Sequence, residues 1–392
     1  MKHVLIAQRI SVNSLKQFIS RYKKWIKRIA VTLIALPLVA FAVLVAILYA
    51  KQDYFVGLAL EKANADLNGK VEIGGSHIAP FANFPNISID LEHLKIYESK
   101  ADSAACLVHL KDTYLGFDLS ELISGNVVVK KIKLSDGVID IRQHRDGSFN
   151  VANALASKVP SDEVSEDLHL SLESIELDHV DISKLNESTH LAVDLLIKKA
   201  KSSFHSNKKG IDFKLDSDLT LSIIQDKDTT FFNNKHLEFE TEFSYLNDGS
   251  VLKFKETSLA FEKTLLDFQG KLHLTKNVFV DLQLKGHKPD FNLFLSVAPP
   301  ALSDALKEFD NQGKIYFNAS IKGNVANGHQ PAIHANFGCK EGLLENTLTH
   351  KKMKEITFNG SCTNGVKRDI STMAFNLTGF HVRPELGVFN AD

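Results

Sequence analysis

No aspartate or glutamate precedes Asp53, whereas Lys2, Arg9, Lys16, Arg21, Lys23, Lys24, Lys27 and Arg28 all lie in that stretch. Over the full 392 residues the two signs nearly cancel, 46 Lys+Arg against 47 Asp+Glu, so there is no bulk basic field suited to nucleic acid. Cysteine is scarce. Cys106, Cys339 and Cys362 are too few and too scattered for a disulfide framework or a zinc site, and small buried strand residues are the plainer reading. Cys339 and Cys362 lie on segments open to pairing in one sheet, where a disulfide would require an oxidising compartment and suitable geometry.

Motifs that carry chemistry are also missing. There is no Gly-rich phosphate loop, no G-x-S-x-G elbow and no H-E-x-x-H, so nothing signals an enzyme, a cofactor or a metal. The 16 histidines are dispersed singly; His93, His109, His169, His179 and His273 fall at polar positions in or beside β segments and read as solvated. Asp136 and Asp146 each precede glycine, which makes them hairpin-turn residues rather than a hydrolytic carboxylate pair. Tryptophan occurs once against 26 phenylalanines, and phenylalanine, having no polar handle, suits a wholly apolar lining.

What is present begins with Ile29–Ala50, an uncharged run long enough to cross the hydrocarbon core, for which about 20 helical residues suffice. Ile29, Leu33, Leu36, Val39, Leu44 and Ile47 are its anchoring side chains; Pro37 is tolerable in such a helix, and Trp25 and Tyr49 sit near the two interfaces. A cleaved signal peptide is the competing reading. Its apolar part would span about 7–15 residues, and Leu48-Tyr49-Ala50 is a poor cleavage site, so a retained anchor is expected. The basic block then orients it: residues 1–28 cytoplasmic, 29–50 transmembrane, and everything after Lys51 on the far side.

Lys51–Asp66 has the spacing of an amphipathic helix, with Gly69 in Leu67-Asn68-Gly69-Lys70 expected as a left-handed cap. From there the apolar period is two. Ile87, Ile89 and Leu91 alternate with polar residues, and Leu94 and Ile96 resume after a one-residue phase change. Ile132 and Leu134 lead to Asp136-Gly137; Ile139 and Ile141 lead to Asp146-Gly147. Later runs include Leu168, Leu170 and Leu172, then Ile211, Phe213 and Leu215, then Leu237, Phe239 and Phe243. Val278, Val280, Leu282 and Leu284 follow, then Ile315, Phe317 and Ile321, then Ile333, Ala335 and Phe337. Turn chemistry at Asn207–Gly210, Asn247-Asp248-Gly249, Gly323-Asn324 and Asn327-Gly328 separates them. Short helical pieces are expected at Asp118–Ile123, Val151–Ser157 and Pro300–Phe309, and the acidic stretch Ser161–Asp167 reads as a loop dividing residues 51–160 from 161–392. Each strand carries one apolar face that must be covered, and periodicity alone leaves a two-sheet sandwich and a curled trough equally open.

The segments LNGKVEIGG (Leu67–Gly75), FANFPNISIDLEHLKI (Phe81–Ile96) and GFDLSELISGNVVVKKIKLSDGVIDIRQHRDGSFNV (Gly116–Val151) resemble, in that order, the AsmA-like family of Gram-negative inner-membrane proteins, especially its Bacteroidetes members. Leu266–Pro300 and Pro331–Asn346 are similar to its later repeats; Ser161–Leu265 matches more weakly. The resemblance implies a mainly β protein: an N-terminal transmembrane helix, then an elongated, curled antiparallel sheet forming an apolar groove, with a capping helix near the membrane and few other helices. It implies a periplasmic bulk and a role in moving phospholipid towards the outer membrane or in assembling that membrane. The partners would be phospholipid, the inner membrane and outer-membrane or envelope proteins. Groove residues expected on this basis are Val278, Val280, Leu282 and Leu284 on one strand and Ile315, Phe317 and Ile321 on a neighbour. A lipid-free β scaffold for envelope proteins, and an envelope enzyme with an unrecognised site, are the rival readings. Because Leu386–Asn390 falls inside a β region with no capping element, the chain is expected to be part of a longer member.

Overall fold

A computed structural model describes residues 43–391 with interruptions, the longest at 157–171 and 298–307. Two compact units, Met1–Leu58 and Ala59–Asp392, divide the chain. In the first, positions 43, 45–46, 49–54 and 56–57 are helical. Among the described residues no helix is long and apolar enough to cross a membrane. All six expected anchor side chains (Ile29, Leu33, Leu36, Val39, Leu44 and Ile47) lie outside the described residues.

The second unit is mainly β. Its strands are β1 (Lys70–Glu72), β2 (Gly75–Asn83), β3 (Asn86–Tyr97), β4 (Cys106–Phe117), β5 (Val129–Gln143), β6 (Ser174–Asn186), β7 (Leu191–Asn207), β8 (Gly210–Gln225) and β9 (Asp228–Thr229). They continue as β10 (Lys235–Leu246), β11 (Val251–Phe261), β12 (Thr264–His273), β13 (Phe279–Gly286), β14 (Phe309–Asn324), β15 (Ala332–Asn346), β16 (Lys352–Thr363), β17 (Ala374–Pro384) and β18 (Phe389–Ala391). The short helices α1 (Asn150–Leu155) and α2 (Asn292–Val297) lie between them. These eighteen strands form one long curled sheet, so no second sheet stands opposite it among the described residues. Spatial order follows the chain: β1 and β2 share one side of β3, β9 is a short return on β8, and β8 pairs onward with β10. Every pair is antiparallel except β5–β6, which is parallel. A parallel neighbour needs a long crossover, and the connection containing α1 supplies it. The acidic stretch Ser161–Asp167 in that connection, and positions 168–171 of the run Leu168–Leu172, lie outside the described residues.

Three sequence expectations change. Asp136-Gly137 is not a hairpin: β5 runs straight through it, with Asp136 at φ 51° as an extra residue inside the strand. Asp146-Gly147 is a turn, closed by His144 N–H to Ser148 O at 2.8 Å, but it leads into α1 rather than a partner strand. Gly69 is not a left-handed cap. It is needed for close approach, since a Cβ there would lie 2.6 Å from Tyr97 O and 3.0 Å from Ala154 Cβ. The helix ending at Asp66 is instead tied to the sheet by Asn64, whose side chain exchanges two hydrogen bonds with the Val71 backbone, at 2.8 and 2.9 Å. Helix appears at 120–121 and at Asn150–Leu155, near two expected pieces. Most of Pro300–Phe309 lies outside the described residues, while Phe309 itself opens β14.

Lines of irregular residues curl the sheet. His93, Asp136 and His179 have φ of 50°, 51° and 54°, and they align with Lys111 and Lys198, which likewise drop out of the ladder. The line crosses β3 to β7 and stops at β8, where the register slips by one. A second line passes through Glu341, Glu355 and Gly379 on β15 to β17, at φ 56°, 56° and 59°. Such inserted residues bend a strand and increase its twist.

Candidate functional site

Alternation within each strand, combined with the register between strands, assembles one apolar face. Leu282 lies opposite Ile321, and Leu284 opposite Ala319, across β13–β14. Ile315, Phe317 and Ile321 then lie opposite Cys339, Phe337 and Ile333 across β14–β15. Six of the seven expected groove residues (Val280, Leu282, Leu284, Ile315, Phe317 and Ile321) therefore share a face on adjacent strands. Val278 precedes β13 in the same alternation, and its carbonyl accepts the Val325 N–H at 2.9 Å.

These residues occupy two environments. Ile315 belongs to a packed cluster with Phe261, Leu266, Cys339 and Leu293 of α2, against which Leu284 and Phe317 also rest. Leu293 is 1% exposed although α2 has only six residues, so the curled sheet wraps the helix. Beyond α2 the face opens: Leu282 and Ile321 are half-buried, Leu377 is 48% exposed and Phe375 65%. A row of phenylalanines extends the face the other way. Phe204, Phe213, Phe243, Phe254 and Phe268 come one each from β7, β8, β10, β11 and β12, with successive ring centroids 5.2, 4.8, 5.4 and 5.2 Å apart. The row runs across successive paired strands. Sequence reasoning missed it, yet a signal existed. Phe204 and Phe213 are mirror-placed about the Asn207–Gly210 turn, and Phe243 and Phe254 about the next, so each pair must meet. On this face the Thr241 and Thr257 hydroxyls satisfy each other at 2.6 Å.

Charge is placed on the opposite face. Lys133 bonds Asp178 at 2.8 Å and holds that carboxyl below its ordinary range; Lys322 pairs with Asp281 at 3.0 Å and Arg383 with Glu355 at 2.8 Å. Asp90 is buried and accepts the Thr113 N–H at 3.1 Å; desolvation, then the nearby Asp112, pushes it up. Asp218, His236 and Glu238 gather closely enough to suggest a metal, but Asp218 is already held by His236 at 2.8 Å and by Lys198 at 2.9 Å, an ion-pair network on a solvated surface. Cys339 and Cys362 are on neighbouring strands, as expected of their segments, but no disulfide joins them. Cys339 lies opposite Phe358, four residues from Cys362, or about 13 Å along the strand, beyond disulfide reach. Burial pushes the Cys339 thiol up to about 11.

Comparison with protein-family models and with curated proteins finds no match.

Proposed function

We propose that this chain is an AsmA-like, inner-membrane-anchored periplasmic protein that carries phospholipid acyl chains on the apolar face of its curled sheet, in support of phospholipid transport to the outer membrane or assembly of that membrane. One observation carries the reading: an apolar face continuous from strand to strand, half-exposed over much of its length, with no opposing sheet among the described residues. A monomeric soluble protein rarely leaves so large an apolar surface uncovered unless something binds there. Acyl chains gain about 0.8 kcal/mol per buried CH₂ on such a lining, close to what they lose on leaving a bilayer, so movement along it is nearly isoenergetic. The charged outer face keeps the sheet in water.

The test is a photo-crosslinking amino acid placed in the full chain in cells grown on radiolabelled phosphate. At Leu282, on the apolar face, irradiation is expected to attach labelled lipid; at Gln283, on the other face, it is not. Absence of label at Leu282 would favour the scaffold reading, and a search for protein partners would follow.

A further inference from the structure

An open cavity of about 540 Å³ lies between the residues leading into β15 and the β16–β17 loop, lined by His329, Gln330, Val366, Lys367, Arg368 and Asp369. The loop is built, not loose. Asn364, 6% exposed, accepts the Ile333 N–H at 2.9 Å and donates to Pro331 O at 2.9 Å and Arg368 O at 3.1 Å, tying the two connections together. Thr372 Oγ1 donates to Asn364 O at 2.9 Å and accepts the Lys367 N–H at 3.2 Å. Arg368 sits at φ 60° and donates from Nη1 to Gln330 O at 3.2 Å, which places its guanidinium across the cavity. Gly323 makes room for it, since a Cβ there would lie 3.2 Å from that nitrogen.

Two side chains of this ordered loop face outward. Val366 is 97% exposed, and Lys367 is exposed too, its charge helping to lower the neighbouring Asp369 carboxyl. The Asp369 carboxylate is engaged by Ser371 Oγ–H at 2.7 Å and the Thr372 N–H at 3.2 Å, leaving two cations against one acid at the cavity. The position is informative. Ile333, whose N–H is held by Asn364, and Phe375, three residues beyond Thr372, belong to the most open stretch of the apolar face, at 39% and 65% exposure. A basic cavity therefore stands at the rim of an uncovered apolar surface, the pattern that complements an amphiphile with an anionic head.

Building on the proposed lipid-carrying face, we infer that Lys367 and Arg368 form a subsite for the phosphate of a lipid whose acyl chains lie over Ile333, Phe375 and Leu377, with Val366 against its glycerol end. Cationic side chains contact phosphate through charge-assisted hydrogen bonds, and a guanidinium offers two in parallel.

The experiment uses the full chain in a non-phospholipid detergent, with two photoactivatable probes of identical acyl chains, phosphatidylglycerol and diacylglycerol. Phosphatidylglycerol capture is expected to exceed diacylglycerol capture about fivefold, the scale of an exposed charge contact. In Lys367→Ala/Arg368→Ala that preference is expected to vanish while diacylglycerol capture is unchanged. Because Arg368 also bridges to Gln330, Lys367→Gln alone serves as the variant that leaves the loop's own bonds in place, and it should lose part of the preference. Equal capture of both probes by the native chain, or a preference that survives the double variant, overturns the subsite and leaves the apolar face standing. Capture of neither probe overturns the lipid-carrying face and the subsite with it. Loss of the preference in a few millimolar inorganic phosphate assigns the cavity to free phosphate and overturns the lipid assignment.

Discussion

Leu293 and Leu282 contribute to the same apolar surface, yet truncating them should have very different consequences. Leu293 is 1% exposed at the centre of the cluster formed by Phe261, Leu266, Ile315 and Cys339. Leu293→Ala removes buried methyl groups and leaves a cavity that a wrapped sheet cannot easily close, which costs about 3 kcal/mol. Leu282 is half-buried and lies outside that cluster, so Leu282→Ala forfeits about half the transfer energy of a buried leucine, or about 1 kcal/mol. The sheet is long and its contacts are mostly between neighbours, so local opening is a better observable than a single unfolding midpoint. Hydrogen exchange over the β13 and β14 amides should accelerate about 150-fold in Leu293→Ala and about fivefold in Leu282→Ala if exchange follows local opening. Equal acceleration in the two variants would refute the division of this face into a packed half and an open half. It would mean that α2 rests on the sheet as loosely as a displaceable lid.

Gly137 should be the least replaceable residue of the first kink, because a Cβ there would lie 2.2 Å from His109 O; Gly137→Val is expected to destabilise by at least about 3 kcal/mol in thermal unfolding, while Asp136→Gly, which relieves φ 51°, should be neutral or stabilising. The Asp178 carboxyl, held low chiefly by its hydrogen bond from Lys133, contributes stability that is complete above its unfolded pKa of about 4 and lost as pH falls through its lower folded value. Melting followed across that acid range should show this loss in the native chain and a weaker one in Lys133→Met. Alkylation at pH 8 should label exposed Cys106 in the folded chain and reach Cys339, whose thiol is pushed up to about 11, only on unfolding.

Much of this architecture was legible, and what was not has identifiable causes. Alternating runs located strands reliably because a half-exposed sheet leaves its period undisturbed, as at Ile211–Leu215 in β8 and Ile315–Ile321 in β14. The phase change between Leu91 and Leu94 was visible, and it marks the kink at His93. The equivalent kink at Asp136 was misread because Asp-Gly serves both a tight hairpin and a residue inserted at positive φ. Local chemistry is the same in the two cases; only the partner strands, β4 and β6, decide between them. The parallel β5–β6 pair was invisible for a related reason, since strand direction is set by the connection and leaves no trace in alternation. The six apolar-face residues were legible as two strand-wise series, but their separation by α2 was not, because Asn292–Val297 is too short to show a helical period.

The kinks also explain how one face stays apolar while the sheet bends. An inserted residue reverses the alternation beyond it, so a single kinked strand would turn its later apolar side chains outward. On β3 to β7 the insertions occur together, at His93, Lys111, Asp136, His179 and Lys198, and every one is exposed. Because neighbours shift phase in step, Leu94, Leu110, Ile139 and Ile182 rejoin the face that Leu91, Leu115, Ile132 and Ile175 began. Where the line ends, β7 carries two residues against one on β8, between the pairs Ile197–Leu219 and Ala200–Ser217. The curl is therefore written in polar residues inserted at matched depths on successive strands. A binary apolar pattern treats those residues as interruptions, whereas in the folded chain they keep the apolar face continuous around the bend.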